Sequence, residues 1–350
     1  MKESLAPLYQ FYSVIVPSFN RKDEISELLA SFVTLNFDSS RIEIIIADDG
    51  SQDDTAKVVK DYQTKLPFPV RFHSQQNQGP GAARNMGMQH ARGDFYIFID
   101  SDCTVPADWL TNIDRALNQD RAEAFGGRDS FRADFPDLLK AINYSMTSFI
   151  TTGGLRGRKG KKLAKFYPRS FNMGLSKKLF EQIGEFGALR HGQDIEYSHR
   201  MIKSGAKIIY VDNAIVYHKR RTSIKKFFRQ VFNWGVARIN LYKIDQAMLE
   251  PLHAAPAVAT IGLILLVLLS LFIPSFWPYS RWFFAAGLTI LVMSGIHATI
   301  IYHRLTMLFL VPLIMAIQII GYGLGFISAL IVRIILGKSE FGGFKKRYYK

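Results

Sequence analysis

Two carboxylates, Asp100 and Asp102, stand two positions apart directly after the run Phe95–Ile99. That run is short, apolar and rich in aromatic and β-branched residues, so it reads as a buried strand. In an open α/β sheet, ligands bind at the C-terminal ends of the strands. An Asp-x-Asp placed there can hold a hard divalent cation and, through it, a diphosphate. The same pattern also suits an ordinary strand-to-loop corner in which Asp102 caps a turn. The flanking chain decides between the two.

Tyr12–Val16 predicts a first strand that stops at Pro17, followed by a loop of Ser18, Phe19 and Asn20. Asp23–Leu35 has helical spacing, with Ile25, Leu28, Leu29 and Phe32 on one face. Ile42–Ala47 predicts a second strand running into Asp48, Asp49, Gly50 and Ser51, and Val70–His73 a third. The stretch NQGPGAARNMG follows, a glycine-rich loop opening a helix, and then the Asp-x-Asp strand. Strands alternating with helices imply a mostly parallel sheet covered on both faces. Right-handed crossovers then bring the loops at Pro17, Asp48 and Asp100 to one sheet edge. Glycine backbones at a helix N-terminus accept phosphate. Carboxylates cannot hold a diphosphate directly, so the acidic loops call for a metal.

Five segments, VIVPSFN, IIIADDGSQDDT, NQGPGAARNMG, FIDSD and GQDIEYSHRMIKSG, resemble in order and spacing the motifs of the family 2 glycosyltransferases, which have the GT-A fold. The resemblance covers the first two-thirds of the chain. It implies an α/β, Rossmann-like catalytic domain with a mostly parallel sheet. It implies that Pro17, Phe19 and Asp49 surround a nucleotide base and that the loop at Gly81 and Arg84 closes over the nucleotide. Asp100 would sit near the ribose and metal, and Asp102 would ligate the metal. For Pro17, Phe19 and Gly81 turn and packing chemistry is the alternative. Asp48 can be a turn-former, and Arg84 a partner for a helix-face carboxylate.

Farther along, Arg121–Gly127 predicts a strand, Asp134–Ile150 a helix and Phe171–Leu175 another strand. Gly192 and Gln193 open a helix through Lys203. Where the family usually carries Glu-Asp, this chain has Gln193 and Asp194, and the resemblance makes Asp194 the general base. A carboxylate within hydrogen-bond reach of an acceptor hydroxyl can take its proton as it attacks the anomeric carbon. An N-cap is the other reading of Asp194, and Glu196 is the fallback base. Lys207–Asp212 and Ala214–Tyr217 lead to His218, which matches the place of an additional metal or phosphate contact in many GT-A enzymes. Thr151–Lys165 is glycine-rich and basic, and Lys159, Lys161 and Lys162 suit a phosphate-bearing acceptor.

Ser223–Tyr242 has the pattern of a basic amphipathic helix at a membrane surface. Its Gln230 and Trp234 resemble the Gln-x-x-Arg-Trp of processive relatives, with Asn233 in place of the Arg. This makes Gln230, Trp234 and Gln193 candidates for acceptor contact. Trp234 equally suits an interface anchor. Beyond it, residues 257–273, 282–302 and 307–336 are apolar stretches near or above the roughly 20 residues that span a bilayer. Gly321, Gly323 and Gly325 suit close helix packing.

The chain carries a formal net charge of +15 and a single cysteine. One cysteine excludes an internal disulfide framework. The basic residues cluster beside apolar segments, which points to anionic lipid, not nucleic acid. The MKESLAPLYQ start lacks the apolar core of a cleaved signal. The expected organisation is therefore a cytosolic catalytic domain over 1–220, an amphipathic interface region over 221–250, and a transmembrane region over 251–350. The expected activity is membrane-bound, inverting, metal-dependent transfer from a UDP- or GDP-linked sugar to a lipid-linked or membrane-proximal glycan, with Mg²⁺ or Mn²⁺. A processive polysaccharide synthase and an inactive membrane scaffold are the alternatives. The expected location is the inner or plasma membrane, multi-pass, with the catalytic domain on the cytoplasmic side.

Overall fold

A computed structural model of the chain describes residues 7–130, 135–152, 166–218, 223–339 and 341–344. The basic stretch from residue 153 to Lys165, including Lys159, Lys161 and Lys162, and the tail from Lys345 lie outside the described residues. In chain order the first elements are β1 (Tyr12–Ser18), α1 (Lys22–Phe32), β2 (Ile42–Asp48), α2 (Thr55–Gln63), β3 (Val70–Ser74) and α3 (Pro80–His90). Next come β4 (Phe95–Ile99), β5 (Cys103–Thr104), α4 (Trp109–Asp120), β6 (Ala124–Ser130), α5 (Asp137–Thr147) and α6 (Phe149–Thr152). They continue with β7 (Asn172–Ser176), α7 (Lys177–Ile183), α8 (Gln193–Lys203) and β8 (Ile208–His218). The remainder is helical: α9 (Ile224–Ile244), α10 (Pro251–Phe272), α11 (Trp277–Tyr302) and α12 (Met307–Leu330), the last running into a π-turn at Ile331–Ile335.

The chain forms two compact units. One holds the chain up to Ser130 together with the stretch from Tyr167 to His218; the other holds α5, α6 and α9–α12. The first unit is built on a sheet of order β3-β2-β1-β4-β7-β6-β8-β5. β3, β2, β1 and β4 are parallel, as the alternation of strands and helices predicts. β7 runs antiparallel to both β4 and β6, so the sheet is mixed. Successive side chains of β1 go to opposite faces, as strand geometry requires. Tyr12, Val14 and Val16 pack with Leu28, Phe32 and Trp109 of α1 and α4. Ile15 packs on the other face with Ala83, Met88, Tyr197 and Met201 of α3 and α8. Because both faces are covered, β1 and β2 are buried at every residue, without alternation.

Several boundaries differ from those expected. The strand expected from Arg121 begins at Ala124, because Arg121 takes a left-handed φ of 50° where α4 ends. The helix expected through Ile150 breaks at Ser148, which is extended. The two pieces expected around Asp212 are one strand, β8, whose register against β6 shifts between Gly127 and Arg128. α5 and α6, expected in the catalytic domain, group with the C-terminal helices.

In the second unit α12 is central. The helices α10, α11 and α12 are each long and apolar enough to cross a membrane. α10 starts six residues before the expected Ala257. Pro251 sits where no amide is needed, and Glu250 and His253 cap the helix reciprocally. The apolar face of α9 packs on α12. A Cβ on Gly235 would meet the carbonyl of Tyr322, and one on Gly325 the carbonyl of Phe232. Gly323 packs against Pro256 and Thr260 of α10. Close packing thus accounts for the glycines of α12.

Candidate functional site

The C-terminal ends of the parallel strands are aligned, with Ser18 opposite Asp48 and Asp48 opposite Ser74. The β1–β4 register, Ile15 opposite Phe98, carried two residues on, sets Asp100 level with Pro17. Pro17 is buried in β1, and Phe19 is half-buried in the loop beyond it. That loop is stitched to the next one. Asn20 Oδ1 accepts from the amide of Gln52 at 2.8 Å, and the Asn20 amide donates to Ser51 Oγ at 2.8 Å.

Asp48 closes its own turn, accepting from the amides of Gly50 and Ser51 and from Ser74 Oγ. Asp49 reaches outward. Its Oδ1 accepts from the Gln78 amide at 2.9 Å and from Gln75 Nε2 at 2.8 Å, and its Oδ2 accepts from the Gly79 amide at 2.7 Å. Burial raises its pKa, and these donors pull the other way. Asp49 therefore shapes the loop that opens α3.

Gly79 takes a φ of 95°, and Pro80 supplies the first helical residue. Gly81 is in contact with Gln193, and a Cβ there would lie 2.5 Å from Gln193 Nε2. One turn on, Arg84 is 5% exposed. Its Nη2 donates to Asp100 Oδ1 at 2.7 Å, and its guanidinium lies 5.6 Å from the centre of the Phe186 ring. Its Nε is buried with no protein acceptor among the described residues. The side chain of Asp100 is 32% exposed, so one partner of this ion pair is anchored and the other is open to a ligand.

Asp102 has a different partner. β5 pairs antiparallel with the end of β8, Cys103 opposite His218, and this brings His218 Nε2 to 3.1 Å from Asp102 Oδ1. A donor atom of Asp102, one of Cys103 and one of His218 all lie within 4.8 Å of one another. A carboxylate oxygen and an imidazole nitrogen at this separation fit a divalent cation, and the imidazole favours a transition ion such as Mn²⁺ over Mg²⁺. The buried Cys103 belongs to this group. Asp100 points to Arg84, so the two carboxylates of Asp-x-Asp have separate partners.

At α8 the helix cap is Gly192, with φ of 83°, so Asp194 is not the N-cap. Asp194 Oδ2 lies 3.3 Å from Arg169 Nη1, and its Oδ1 accepts from the Ile195 amide. Gln193 Nε2 donates to the carbonyl of Gly187 at 3.0 Å. Glu196, the fallback base, is paired through both oxygens with Arg200. Sequence reasoning did not single out Arg169 or Phe186, because no motif spacing ties either to its partner. Gln230 and Trp234 lie in the second unit, both half-buried on α9. Between them, Asn233 is buried and takes both backbone groups of Phe344, donating to its carbonyl at 3.0 Å and accepting from its amide at 2.8 Å.

The structure resembles that of a mannosyltransferase from Pyrobaculum calidifontis in complex with GDP-Man and Mn²⁺, with a TM-score of 0.60 and 18% identity over 90% of this chain and 89% of that one. The fold, with acidic loops at the C-terminal edge of a mixed, mostly parallel sheet, is the GT-A fold. Residues 13–184, just under half of the chain, match the model described as Glycosyl transferase family 2. Among its relatives is "Glycosyltransferase AglE" of Haloferax volcanii, 23% identical over 70% of this chain and 78% of that protein. Another is a dolichyl N-acetyl-alpha-D-glucosaminyl phosphate 3-beta-D-2,3-diacetamido-2,3-dideoxy-beta-D-glucuronosyltransferase of Methanococcus voltae, 26% identical over 65% of this chain and 73% of that protein.

Proposed function

We propose that this chain is a membrane-attached, inverting glycosyltransferase that moves a sugar from a UDP- or GDP-linked donor to a lipid-linked acceptor at the cytosolic membrane face. The observation that carries the reading is the split partnership of the Asp-x-Asp, with Asp100 on a buried arginine and Asp102 beside an imidazole. One carboxylate is then placed for the ribose and the other for a cation. Pro17, Phe19 and Asp49 border the base, and Gly81 and Arg84 close over the nucleotide. The buried Arg84 Nε supports this placement, since it is a donor aimed at no protein acceptor.

Asp102 and His218 would hold the divalent cation, with Asp100 nearby. Bound there, the cation supplies charge neutralisation for the departing diphosphate. Asp194 accepts the proton of the acceptor hydroxyl as that oxygen attacks the anomeric carbon. Arg169 pairs with Asp194 and orients it. Attack opposite the leaving group inverts the anomeric centre. Gln193 meets the acceptor beside Asp194, and Gln230 and Trp234 are further acceptor candidates. The apolar helices and the Methanococcus voltae relative, whose name specifies a dolichyl N-acetyl-alpha-D-glucosaminyl phosphate acceptor, support a lipid-linked acceptor.

Calorimetric titration of the detergent-purified chain with UDP, GDP, CMP and dTDP, each with Mn²⁺, Mg²⁺ or chelator, tests the donor site. One nucleotide is expected to bind only with metal and to lose binding in Asp102→Ala. Asp194→Asn is expected to keep that binding and lose transfer by about 10²–10⁴-fold. Absence of nucleotide binding in folded protein would favour the scaffold alternative.

A further inference from the structure

Met307–Ile335 is long and apolar enough to cross a membrane, as are the two helices before it. Three crossings would put the two ends of this unit on opposite membrane faces. The packing within the unit contradicts that. α10 and α11 are joined by the four residues Ile273–Phe276. Their contacts with α12 at Gly323 and Gly295 lie far from that corner. Gly323 abuts Pro256 and Thr260 of α10, and Gly295 of α11 abuts Leu308 and Pro312. On α12, Gly323 lies 11 residues from Pro312 and 15 from Leu308, or about 17–22 Å at the helical rise. α10 and α11 thus form a splayed hairpin, and α12 runs along its open base.

The neighbours of α12 are not those of a membrane span. α9 lies beside it, with Val231 and Phe228 against Gly321, and Gly235 against Tyr322 and Phe326. α9 also carries Lys225, Lys226, Arg229, Arg238 and Lys243. α5 flanks the first half of α12, where Ser145 Oγ donates to Gln318 Oε1 at 2.7 Å and Thr306 Oγ1 bonds Asp137. One cation at the bilayer centre costs roughly 3 kcal/mol or more. A helix flanked along its length by such partners belongs in the headgroup layer. By contrast, only 11% and 17% of the most apolar windows of the first two spans are buried in protein, against 39% for α12. Their exposed side chains, such as Leu271, Phe272, Trp282 and Phe283, face outward. After α12 the chain returns to α9, where Asn240 Nδ2 donates to the Phe341 carbonyl at 3.0 Å and Asn233 holds Phe344.

We infer that α10 and α11 alone cross the membrane, as a hairpin, and that α12 lies with α5 and α9 in the surface layer of one leaflet. The chain before α10 and the segment 341–344 then face the same side. Charge agrees with this. The base carries the cations of α9 with Arg304, Arg333 and Lys338, whereas the corner carries Arg281 alone among the described residues. The positive-inside tendency sets the base on the cytosolic face. The inference rests on the membrane attachment proposed above, so attachment is tested first.

Membranes bearing the full chain are washed with alkaline carbonate. Release of the chain would undo attachment itself. Once retention is shown, single cysteines replacing Lys243, Ser275 and Ser339 are labelled with an impermeant maleimide in sealed vesicles of known orientation. The parent chain, with its buried Cys103, sets the background. Lys243→Cys and Ser339→Cys are expected to react from one face and Ser275→Cys from the other. Ser339→Cys reacting together with Ser275→Cys would establish a third crossing and overturn the inference. Ser275→Cys reacting together with Lys243→Cys would abolish the hairpin. A protease-cleavable epitope added after Lys350 reads the side of the C-terminus on the unsubstituted chain if a variant fails to accumulate. Cleavage from the face opposite Lys243 would overturn the inference equally.

Discussion

Replacing Gly81 by Ala adds one methyl group where α3 meets α8. The new Cβ would lie 2.5 Å from Gln193 Nε2 and 2.9 Å from its Cδ and Oε1. Ordinary contact needs about 1 Å more, so the carboxamide must swing away and give up its hydrogen bond to the Gly187 carbonyl. A net hydrogen bond contributes about 0.5–1.5 kcal/mol, nearer the low end here because the freed amide meets water. Ala also gains up to about 1 kcal/mol over Gly as a helix former, less in a first turn. The stability of Gly81→Ala should therefore stay within about 1 kcal/mol of the parent. That corresponds to about 2–4 °C in the melting midpoint of a unit this size. The informative quantity is the coupling. In a Gln193→Ala background the methyl group meets no carboxamide, and Gly81→Ala should be neutral or stabilising. The coupling energy should be about 1 kcal/mol. Thermal unfolding of the four chains, with nucleotide titrations alongside, gives both stability and donor affinity. Equal costs of Gly81→Ala in the two backgrounds would refute the claim that Gln193 dictates glycine at this position.

Three further outcomes are expected. His218→Gln should weaken nucleotide binding with Mn²⁺ relative to Mg²⁺ by about tenfold, or about 1.4 kcal/mol, since the imidazole is the ligand that favours Mn²⁺; an unchanged ratio of the two affinities counts against His218 as a ligand. Asn172→Ala should destabilise the catalytic unit by about 3 kcal/mol or more in thermal melts. That fully buried carboxamide accepts from Trp109 Nε1 at 3.2 Å and donates to the carbonyls of Ala214 and Arg128, and its loss strands all three. Burial, with help from His90 and Arg71, lowers the pKa of His73 below its ordinary 6.5. As pH falls through 6.5 the unfolded chain takes up the proton first, so stability present above that value should decline below it. His73→Gln should flatten that part of the midpoint-against-pH curve, and an unaltered slope would assign the decline to other groups.

Much of the catalytic unit could be read in the chain because its strands are buried on both faces. Ile42–Ala47 is apolar apart from Glu43, which is buried and bonded to Ser13 and Arg71. Strand direction is not encoded so locally. Nothing in Asn172–Ser176 marks β7 as antiparallel; its direction follows from pairing with β4 and β6. The apolar stretch marked α10 only from Ala257, whereas Pro251 and Pro256 sit in the first turns of a capped helix. In the candidate site, the carboxylates stood out through their position after strands. Their partners did not. Arg169 lies 25 residues before Asp194, and the pairing depends on how the segment before β7 lies beside α8. The second unit kept a further secret, because hydropathy counts apolar length and is blind to what packs alongside it. Only the helices flanking α12 distinguish it from α10 and α11.

The pairing of β5 with β8 has a thermodynamic consequence. β5 is two residues long, and its register sets Asp102 beside His218. So short a ladder is marginal alone. An ion bridging the two side chains would act as a clasp on the sheet margin, adding about 2.7 kcal/mol at a free concentration 100 times its dissociation constant. Affinity for the ion and rigidity of that margin are then one linked equilibrium. Whatever frays the end of β8 loosens the ion, and whatever depletes the ion lets the margin open. Amide exchange at Cys103 and Thr104 would report both sides of that balance in a single readout.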